Sequence, residues 1–488
     1  MDKRVVLGLG LAVLTAGCGS GTEDLTVAEL DSLRLTVDGT RLLDSLGREV
    51  MLRGVATGCR AKVAPYFAFA FRESGLAGHA SAPPFDEAAG AFLDRVVGWG
   101  HNWIRLPFSW QALEPELGSY DQAYLDRYLA LIDAAAARGL RVVVDFHQDV
   151  YCEHFCGDGF PIWTLPEPLP EPPDGCEDWY MGYLTNPDIN AAFDRFWADR
   201  DGIRAAFVEM WREMAGSAWA HDGVVAFEVI NEPGPGTADV DSWAPTVLRD
   251  FYAQLVSAIR ESAPGAPVVL DAPVMSSATA ETSLELPEAE GLIFGPHYYE
   301  PTVMLLDEWT GTGDLSAPIG RWRAQADAWG VPAILGEFGV RATCTGGADY
   351  LRTYYRNLDA QRLSAAVWEY SCDELDWNQE HYSLVDADGQ ESPMADEIVR
   401  PYPAAVAGEI LSFEYDKASC AGTLVYRAEA GGLTEIAVPG REFPGGVHAS
   451  LSGGPAQWAL AEAEQRLLIR AEQAGELQVC FSRTEPTP

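Results

Sequence analysis

Two short stretches place a glutamate directly after an apolar run. The stretch "VVAFEVINEPG" leads into Glu232, and the stretch "AILGEFG" contains Glu337. Because an unpaired buried carboxylate costs several kcal/mol, each glutamate is expected to have a chemical reason for its position. Two carboxyl groups about 5–5.5 Å apart can cleave a glycosidic bond with retention, one as a protonated acid and the other as an ionised nucleophile. At that distance the charge of the nucleophile helps to keep a proton on the acid.

Other polar and aromatic side chains also follow apolar runs. They are Arg105 in "NWIRLP", His147 and Asp149 in "VVVDFHQD", Asn231 in "NEP", His297 and Tyr299 in "FGPHYYEP", and Trp368 in "AAVWEYS". If these runs are strands of one parallel barrel, their carboxyl ends meet at a single mouth, where active sites form. The alternative for each residue is a structural role, as an ion pair, a core histidine or a packed tryptophan.

Elements that alternate between strand and helix must position these residues. The expected strands are Val50–Ala56, Trp103–Pro107, Arg141–Phe146, Val224–Ile230, Pro267–Leu270, Leu292–Pro296, Ala333–Gly336 and Ala365–Tyr370. Such alternation predicts an α/β fold, a (β/α)8 TIM barrel. A doubly wound sheet is the alternative, and it is disfavoured because no G-x-G-x-x-G follows the first strand.

The barrel is predicted over residues 33–402, followed by a small C-terminal β-sandwich over residues 403–488. In the latter region, short alternating segments such as "GTLVYRAEA" and "GELQVCFSR" are separated by Gly-rich turns. A long connection at residues 148–190, rich in Pro and acidic residues, is expected to overhang the barrel mouth. The cluster "YFAFAF" at 66–71 fits either the core or a lipid-contacting lip.

The N-terminus has the features of an export signal. In "MDKRVVLGLGLAVLTAGC", two basic residues precede a short apolar run, and small residues precede Cys18. We predict a signal peptide of the lipoprotein type at residues 1–18 and a tether at 19–32, although Thr15 stands where that pattern prefers Leu. The protein is therefore expected to be exported, and either secreted or lipid-anchored at the bacterial cell envelope.

Charge and cysteine content restrict the partners and the compartment. The formal net charge of −40 argues against nucleic acid as a partner, because phosphate backbones would be repelled. The cysteines other than Cys18 form an even set, which in an exported protein indicates disulfides. The expected pairs are Cys344–Cys372 and Cys420–Cys480, whereas half of a zinc site at Cys152 and Cys156 is disfavoured.

The motifs "NWIRLP", "NEP", "HYY" and "GEFG" resemble those of glycoside hydrolase family 5, in the same order. "LRGVATGCRAKVAPY", "VVVDFHQDVY" and "YSLVDADG" resemble its endoglycoceramidase-like subgroup and the related steryl-glucosidases. The resemblance covers the barrel and the C-terminal sandwich. One departure is "VAT" at 55–57, where family members commonly read "GVN".

The resemblance also implies roles for individual residues. It makes Glu232 the acid/base and Glu337 the nucleophile. The implied supporting residues are Arg105 and Tyr299 on the nucleophile, Asn231 on the sugar 2-hydroxyl, His147, His297, Asp149 and Lys62 in the sugar subsite, and Trp368 under the ring. Trp179 is a further candidate that no motif supports.

These observations predict a retaining glycoside hydrolase that cleaves the β-bond between glucose and ceramide in glycosphingolipids. The alternatives are a steryl- or ceramide-β-glucosidase, an endo-β-1,4-glucanase, and a surface lipoprotein that only binds glycans. No metal and no organic cofactor is expected. The expected partner is a glycolipid in micelles or membranes, and the chain is expected to be a monomer.

Overall fold

The computed structural model describes residues 25–371 and 377–483. The predicted signal peptide at 1–18, with Cys18, lies outside the described residues, as does Cys372. Within the two described ranges, none of the helices combines the length and the apolar character that a membrane span requires.

Eight parallel strands form the centre of the molecule. They are β1 (Arg53–Ala56), β2 (Trp103–Phe108), β3 (Arg141–Phe146), β4 (Val224–Glu228), β5 (Val268–Asp271), β6 (Leu292–Gly295), β7 (Ile334–Leu335) and β8 (Ser364–Val367). The strands are paired in the order β6-β5-β4-β3-β2-β1-β8-β7. Parallel bridges from Phe294 to Ala333 and from His297 to Glu337 join β6 to β7 and close the barrel. The predicted TIM barrel is confirmed.

All eight strands are buried along their whole length, as expected for strands that pack against helices outside and side chains inside. The α-helices are α1 (Phe85–Gly98), α2 (Trp110–Leu113), α3 (Gln122–Ala136), α4 (Gly182–Thr185), α5 (Pro187–Trp197), α6 (Ile203–Ala218), α7 (Val240–Trp243), α8 (Arg249–Ser262), α9 (Ser276–Thr279), α10 (Pro301–Leu306), α11 (Ser316–Trp329), α12 (Gly347–Gln361) and α13 (Pro393–Ile398). The longer helices bury one apolar face against the barrel, as α8 does with Phe251, Leu255 and Ile259.

A two-layer β-sandwich follows the barrel. Its strands are β9 (Tyr402–Ala405), β10 (Gly408–Asp416), β11 (Ala421–Ala428), β12 (Leu433–Ala437), β13 (His448–Ser452), β14 (Ala456–Ala461), β15 (Arg466–Ala471) and β16 (Gly475–Ser482). They pair antiparallel in two four-stranded sheets, β9-β12-β15-β14 and β10-β11-β16-β13. The predicted sandwich is confirmed, and its core includes Phe413, Leu424, Ile469 and Val479.

A short N-terminal hairpin, Thr36–Asp38 with Arg41–Leu43, covers the closed end of the barrel. Leu35 and Leu42 pack there in one apolar cluster with Trp103 and Val143, which lie in the first halves of β2 and β3. The catalytic mouth must therefore lie at the other end, where the strands finish.

The cysteine pairing differs from the prediction. The disulfide joins Cys156 to Cys176, whereas Cys344, Cys420 and Cys480 are free thiols, so both expected pairs are wrong. In the sandwich, the register places Thr423 opposite Cys480, which leaves Cys420 too far along the strand to reach it. The observed bond closes a loop inside the long connection after β3, where regular structure is scarce and a covalent link restricts the chain most.

Two other regions have a clear outcome. In the "YFAFAF" cluster, Phe67, Phe69 and Phe71 are buried in the main core, where Phe67 packs edge-on against Phe85 at 5.1 Å. This cluster is therefore core and not a lipid-contacting lip. The long connection after β3 contains short 3-10 helices at Glu153–Phe155, Ile162–Thr164 and Trp179–Met181, and its last part lines the cleft at the mouth.

Candidate active site

Glu232 and Glu337 face each other at the mouth of the barrel. Each has a carboxylate oxygen within 4.8 Å of one on the other. Between them lies His297, whose Nδ1 is 2.9 Å from Glu232 Oε1 and 3.7 Å from Glu337 Oε2. This separation belongs to the short class of carboxyl pairs, which leaves room for a sugar carbon but not for an additional water.

The local sequence around Glu337 explains how its side chain reaches the mouth. A Cβ on Gly336 would lie 2.7 Å from His297 Nε2, and a Cβ on Gly339 would lie 2.1 Å from the Trp368 carbonyl oxygen. Glycine at both positions of "GEFG" therefore lets the chain after β7 pass close to its neighbours on both sides. Backbone bonds from Gly336 to Pro296 and from Trp368 to Phe338 hold it there.

Arg105, on β2, connects Glu337 to the charged centre of the barrel. Its Nη1 donates to Glu337 Oε1 at 2.5 Å, and Tyr299 donates its hydroxyl to Oε2 at 2.9 Å. The same guanidinium binds Glu228 with two hydrogen bonds of 2.7 and 2.8 Å and donates to Asn231 Oδ1 at 2.9 Å. The carboxylate of Glu337 is thus fixed by a cation and a hydroxyl, as the sequence predicted for Arg105 and Tyr299.

The two glutamates have opposite pKa shifts. Burial raises the pKa of Glu337, but the positive charges of His297 and Arg105 outweigh burial and leave it below its ordinary value. Burial also raises the pKa of Glu232, and the opposing hydrogen bond from His297 does not overcome it. Glu337 is therefore suited to be ionised, and Glu232 to carry the proton, in the same cleft.

His147, Asp149 and Lys62 form a second charged group beside the pair. Lys62 Nζ makes an ion pair with Asp149, whose Oδ2 is also 3.4 Å from His147 Nε2. His147 is held from behind by Asp145, at 2.8 Å from its Nδ1, and burial is outweighed by that carboxylate so that its pKa rises to about 10. The structure brings these three predicted sugar-site residues together.

Trp368 forms the floor of this group. Its ring stacks on His147 with centroids 5.1 Å apart, and Lys62 Nζ lies 4.5 Å from the ring centroid. Lys62 also lies 3.9 Å from the ring centroid of Trp377 and 5.4 Å from that of Trp179. The polar end of the cleft is therefore an aromatic box around one ammonium group, with Trp179 included as a wall.

Asn231 lies beside both glutamates, but its amide is already engaged. Its Oδ1 accepts from Arg105, and its Nδ2 donates to the Gln148 carbonyl oxygen at 3.0 Å. Gln148 in turn donates to the carbonyl oxygens of Asn231 and Glu232. These contacts lock the turn that carries Glu232, whose φ is +38°, and the second amide hydrogen of Asn231 remains for the predicted sugar contact.

The sequence reasoning missed several buried acids. Asp145, Glu228 and Asp271 occupy the interior of the barrel, and Glu380 lines the cleft. The three acids on strands, Asp145, Glu228 and Asp271, could have been identified from the sequence, because each is an acidic residue inside an otherwise apolar run, as in "VVAFEV" and "VVLDA". The position of Glu380 depends on the path of the loop after β8, which the sequence pattern does not reveal.

Three groups of carboxylates and histidines among the described residues are close enough to suggest a cation site: His147, Asp149 and Asp158; Glu228, Asp271 and His297; and Glu232, His297 and Glu337. In each group a fixed protein cation already contacts a carboxylate, either Lys62 or Arg105. We interpret the groups as parts of one network of charges that orients the site.

The cleft above these residues has a volume of about 340 Å³. Residues after β1, β3 and β8 make its polar side, including Lys62, Asp149, Trp179 and Glu380. Apolar lining comes from the segments after β5 and β6, and from Met181 and Leu184 at the end of the connection after β3. The residues after β5 and β6 are Val274, Met275, Ala278, Pro301, Met304 and Leu305. Because β1 and β5 lie on opposite sides of the barrel, Lys62 after β1 and the apolar residues after β5 face each other across the glutamate pair.

Comparison with known proteins identifies the class of enzyme. The family described as Cellulase (glycosyl hydrolase family 5) matches residues 66–374, and the Glycoside hydrolase family 5 C-terminal domain matches residues 400–479. The chain belongs to glycosyl hydrolase family 5 and is a retaining glycoside hydrolase, as the sequence motifs predicted.

Several relatives share a more specific description. Endoglycoceramidase I of Rhodococcus hoagii (strain 103S) is 28% identical over 475 residues, which cover 92% of this chain and 88% of that protein. The endoglycoceramidase of Cyanea nozakii is 28% identical over 270 residues, covering 48% of this chain and 50% of that protein. The structure of endo-glycoceramidase II from Rhodococcus sp. in complex with ganglioside GM3 superposes with a TM-score of 0.75 at 26% identity, over 92% of this chain and 100% of that one. The same enzyme as a lactosyl-enzyme intermediate gives a TM-score of 0.73 at 26% identity, with the same coverage.

Proposed function

We propose that this enzyme cleaves the β-bond between the glucose of a glycosphingolipid and its ceramide. The observation that carries the proposal is the two-sided cleft, with charged and aromatic residues on one side of the glutamate pair and aliphatic residues on the other. A sugar needs hydrogen-bond partners and aromatic faces, whereas acyl and sphingoid chains need only apolar surface. The endoglycoceramidase relatives support the same substrate class.

In the proposed reaction, Glu337 attacks the anomeric carbon while Glu232 donates its proton to the departing ceramide oxygen. The resulting glycosyl-enzyme is hydrolysed by a water that Glu232 then deprotonates. Arg105 and Tyr299 hold Glu337 in the attacking position. Trp368 and His147 provide the surface under the sugar. The sugar hydroxyls are bound by Asn231, Asp149 and Lys62, and His297 contacts the acid Glu232 beside the sugar.

Product analysis tests the proposal and separates it from its alternatives. The enzyme is incubated with fluorescent lactosylceramide, a steryl glucoside and carboxymethyl-cellulose. We expect intact lactose and fluorescent ceramide from the first substrate. Release of glucose from the steryl glucoside with lactosylceramide left intact would indicate a steryl- or ceramide-β-glucosidase, and shortened glucan would indicate an endo-β-1,4-glucanase. Glu337→Gln serves as the inactive control, because removing a covalent nucleophile abolishes the first step.

The apolar side of the cleft is open to the surroundings, where a lipid chain would enter. Leu305 on α10 lines the cleft and is 70% exposed, and the next residue, Leu306, is 69% exposed. Met181, Leu184 and Met275 are also exposed and line the same cleft. We infer that these side chains contact the ceramide or the micelle or membrane that presents it. An exposed apolar cluster of this kind marks an interaction site.

A charge introduced into this cluster tests its role. Leu305→Asp should lower kcat/KM on lactosylceramide in mixed micelles by about 10-fold or more, because the lipid contact becomes charged. Hydrolysis of a soluble aryl β-lactoside should stay unchanged. Leu46→Asp is the matched control, since Leu46 is also exposed but lies near the N-terminal hairpin. Equal losses on both substrates for Leu305→Asp would contradict a lipid-specific role.

We propose that the protein is exported and anchored through Cys18. Ser32 and Leu33, close to the beginning of the described chain, lie at the closed end of the barrel, where the Leu33 carbonyl oxygen accepts from Arg141 and Ser32 contacts Asp222. A lipid on Cys18 would then hold the molecule by that end, with the mouth turned away from the anchoring membrane. Cys18→Ser should release the protein into the medium, and an unchanged membrane fraction would contradict the anchor. The monomer expected from the sequence can be checked by light scattering.

A further inference from the structure

Glu380 is a buried carboxylate at the polar end of the cleft that the proposed reaction does not use. It follows the short helix Trp377–Gln379 in the loop after β8, and its side chain is almost completely buried. Its Oε2 accepts a hydrogen bond from the Cys59 thiol at 3.1 Å and from Trp368 Nε1 at 3.3 Å. Its Oε1 lies 4.0 Å from Lys62 Nζ, and Glu380 lines the cleft.

The local charges do not fully compensate this carboxylate. Lys62 is the nearby cation, but its ammonium is in direct contact with Asp149, so Glu380 has only the longer of the two pairings. Burial is accordingly the main influence on Glu380 and raises its pKa. A buried carboxylate with an under-used oxygen is costly to keep for structure alone, because an apolar residue would fill the space at lower cost.

The contacts arrange the polar residues in order along the cleft. Glu232 and Glu337 contact His297, and Asp149 stands next to His147 and Lys62, followed by Glu380. Among the described residues, Glu380 contacts Cys59, Trp368 and Lys62 and neither of the two glutamates. Because the anomeric carbon must lie at the glutamate pair, a sugar in this cleft presents the opposite edge of its ring to Glu380.

We propose that Glu380 is a specificity-determining residue that accepts a hydrogen bond from a hydroxyl of the glucosyl unit on the ring edge away from the cleaved bond. The candidates are the 3- and 6-hydroxyls, since the 4-oxygen is substituted in an oligosaccharide chain. Cys59 and Trp368 are its positioning residues: both donate to Oε2, which leaves Oε1 directed at the substrate. The assignment rests on the proposed cleavage at glucose, but it does not depend on the lipid half of the substrate.

The variant Glu380→Gln tests the contact with little change in shape. The thiol and indole donors would hold the amide oxygen, so the amide NH2 would face the sugar and Lys62 and could not accept a hydrogen bond. On 4-nitrophenyl β-lactoside we expect kcat/KM to fall about 10- to 100-fold, the usual effect of removing a hydrogen bond to a charged group. Glu414→Gln, an exposed glutamate on β10 in the sandwich, is the matched control and should leave kcat/KM unchanged.

Substrates that lack single hydroxyls identify the partner. The wild type should lose about 10-fold or more in kcat/KM on either the 3-deoxy or the 6-deoxy glucosyl analogue, and Glu380→Gln should not lose this factor again on the same analogue. If Glu380→Gln loses the same further factor as the wild type on both analogues, the effects are independent and the proposal is overturned. Because these aryl lactosides carry no lipid, a failure here is distinguishable from a failure of the ceramide assignment.

Variants of Cys59 test the positioning role. Cys59→Ala removes the donor to Oε2, and we expect KM to rise several-fold while kcat changes less. Cys59→Ser restores a donor and should recover most of the loss, provided that thermal melting shows both variants folded. If Cys59→Ala has wild-type KM, or if Cys59→Ser is no better than Cys59→Ala, the thiol does not orient Glu380.

Discussion

The exchange Glu232→Gln isolates the proton that the proposed mechanism assigns to this residue. Glutamine has nearly the same shape, and its amide oxygen can still accept from His297, whose Nδ1 lies 2.9 Å from Glu232 Oε1. The change therefore removes the proton donor and leaves the packing intact. General acid catalysis contributes about 10²–10⁴-fold, or about 2.7–5.4 kcal/mol of barrier, so this is the loss expected when ceramide must leave as an alkoxide.

Two substrates with the same sugar turn this loss into a test. On lactosylceramide, Glu232→Gln should show the full loss of kcat/KM. The loss should be much smaller on 2,4-dinitrophenyl β-lactoside, because its leaving group needs no proton. With the aryl substrate the first step should remain fast, giving a burst of dinitrophenol followed by slow turnover, because the water lacks its base. Azide, which needs no base, should restore turnover and yield β-lactosyl azide.

The reasoning would be refuted if Glu232→Gln lost the same factor of kcat/KM on both substrates, or if azide did not accelerate its slow turnover of the aryl substrate. Glu337→Gln is the matched control, since it should be inactive on both substrates and show no burst. Either of the two refuting results for Glu232→Gln would assign the acid/base role to another residue, although the two glutamates would still be neighbours.

Other predictions follow from the same geometry. The pKa of Glu337 is lowered and that of Glu232 is raised. The enzyme should therefore stay active below the ordinary pKa of a glutamate, where Glu337 is still ionised, and should lose activity only above that pKa, when Glu232 ionises. A profile of kcat/KM against pH checks both limbs. Arg105→Lys should lower kcat/KM at least 100-fold and move the acid limb to higher pH, because Glu337 loses its guanidinium partner; an unmoved limb would contradict this cause. Replacing Cys156 and Cys176 by Ser together should lower Tm by several degrees and raise KM for aryl β-lactoside, because the bond fixes the loop that carries a wall of the cleft; unchanged KM would limit its role to stability.

The barrel and the glutamate pair could be predicted because their signals are local. Each strand is an apolar run that is buried on both faces, and the chemistry-bearing residues follow those runs directly, as at Glu232 and Glu337. The parallel topology then brings the strand ends together without further information. The placement of Arg105 and Tyr299 on one carboxylate followed from the same rule together with the family resemblance.

The features that sequence reasoning missed depend on contacts between distant segments. The prediction of a Cys420–Cys480 bond was wrong because the register of the sheet decides which residues are opposite each other, and the register cannot be derived from the sequence pattern. Glu380 reaches the cleft because residues 377–380 lie close to Lys62, which follows β1. Asp145 could have been noticed, since an acid within an apolar strand needs a partner, but its partner Arg105 lies on a different strand.

The buried charges explain how one cleft can hold two glutamates in different protonation states. Arg105 and Tyr299 contact Glu337, and His297 lies between the pair, so the nucleophile has a cation and a hydroxyl that Glu232 lacks. Arg105 could not remain inside the barrel with Glu337 alone, because a buried guanidinium needs all its donors satisfied, and Glu228 supplies two of the acceptors. Glu228, the last residue of β4, is thus a condition for the lowered pKa of Glu337, which follows β7. The two carboxylates of the segment "FEVINEP" therefore have distinct tasks. Glu228 anchors the cation that lowers the pKa of Glu337, whereas Glu232 makes no contact with Arg105 among the described residues and has a raised pKa that favours its protonated form.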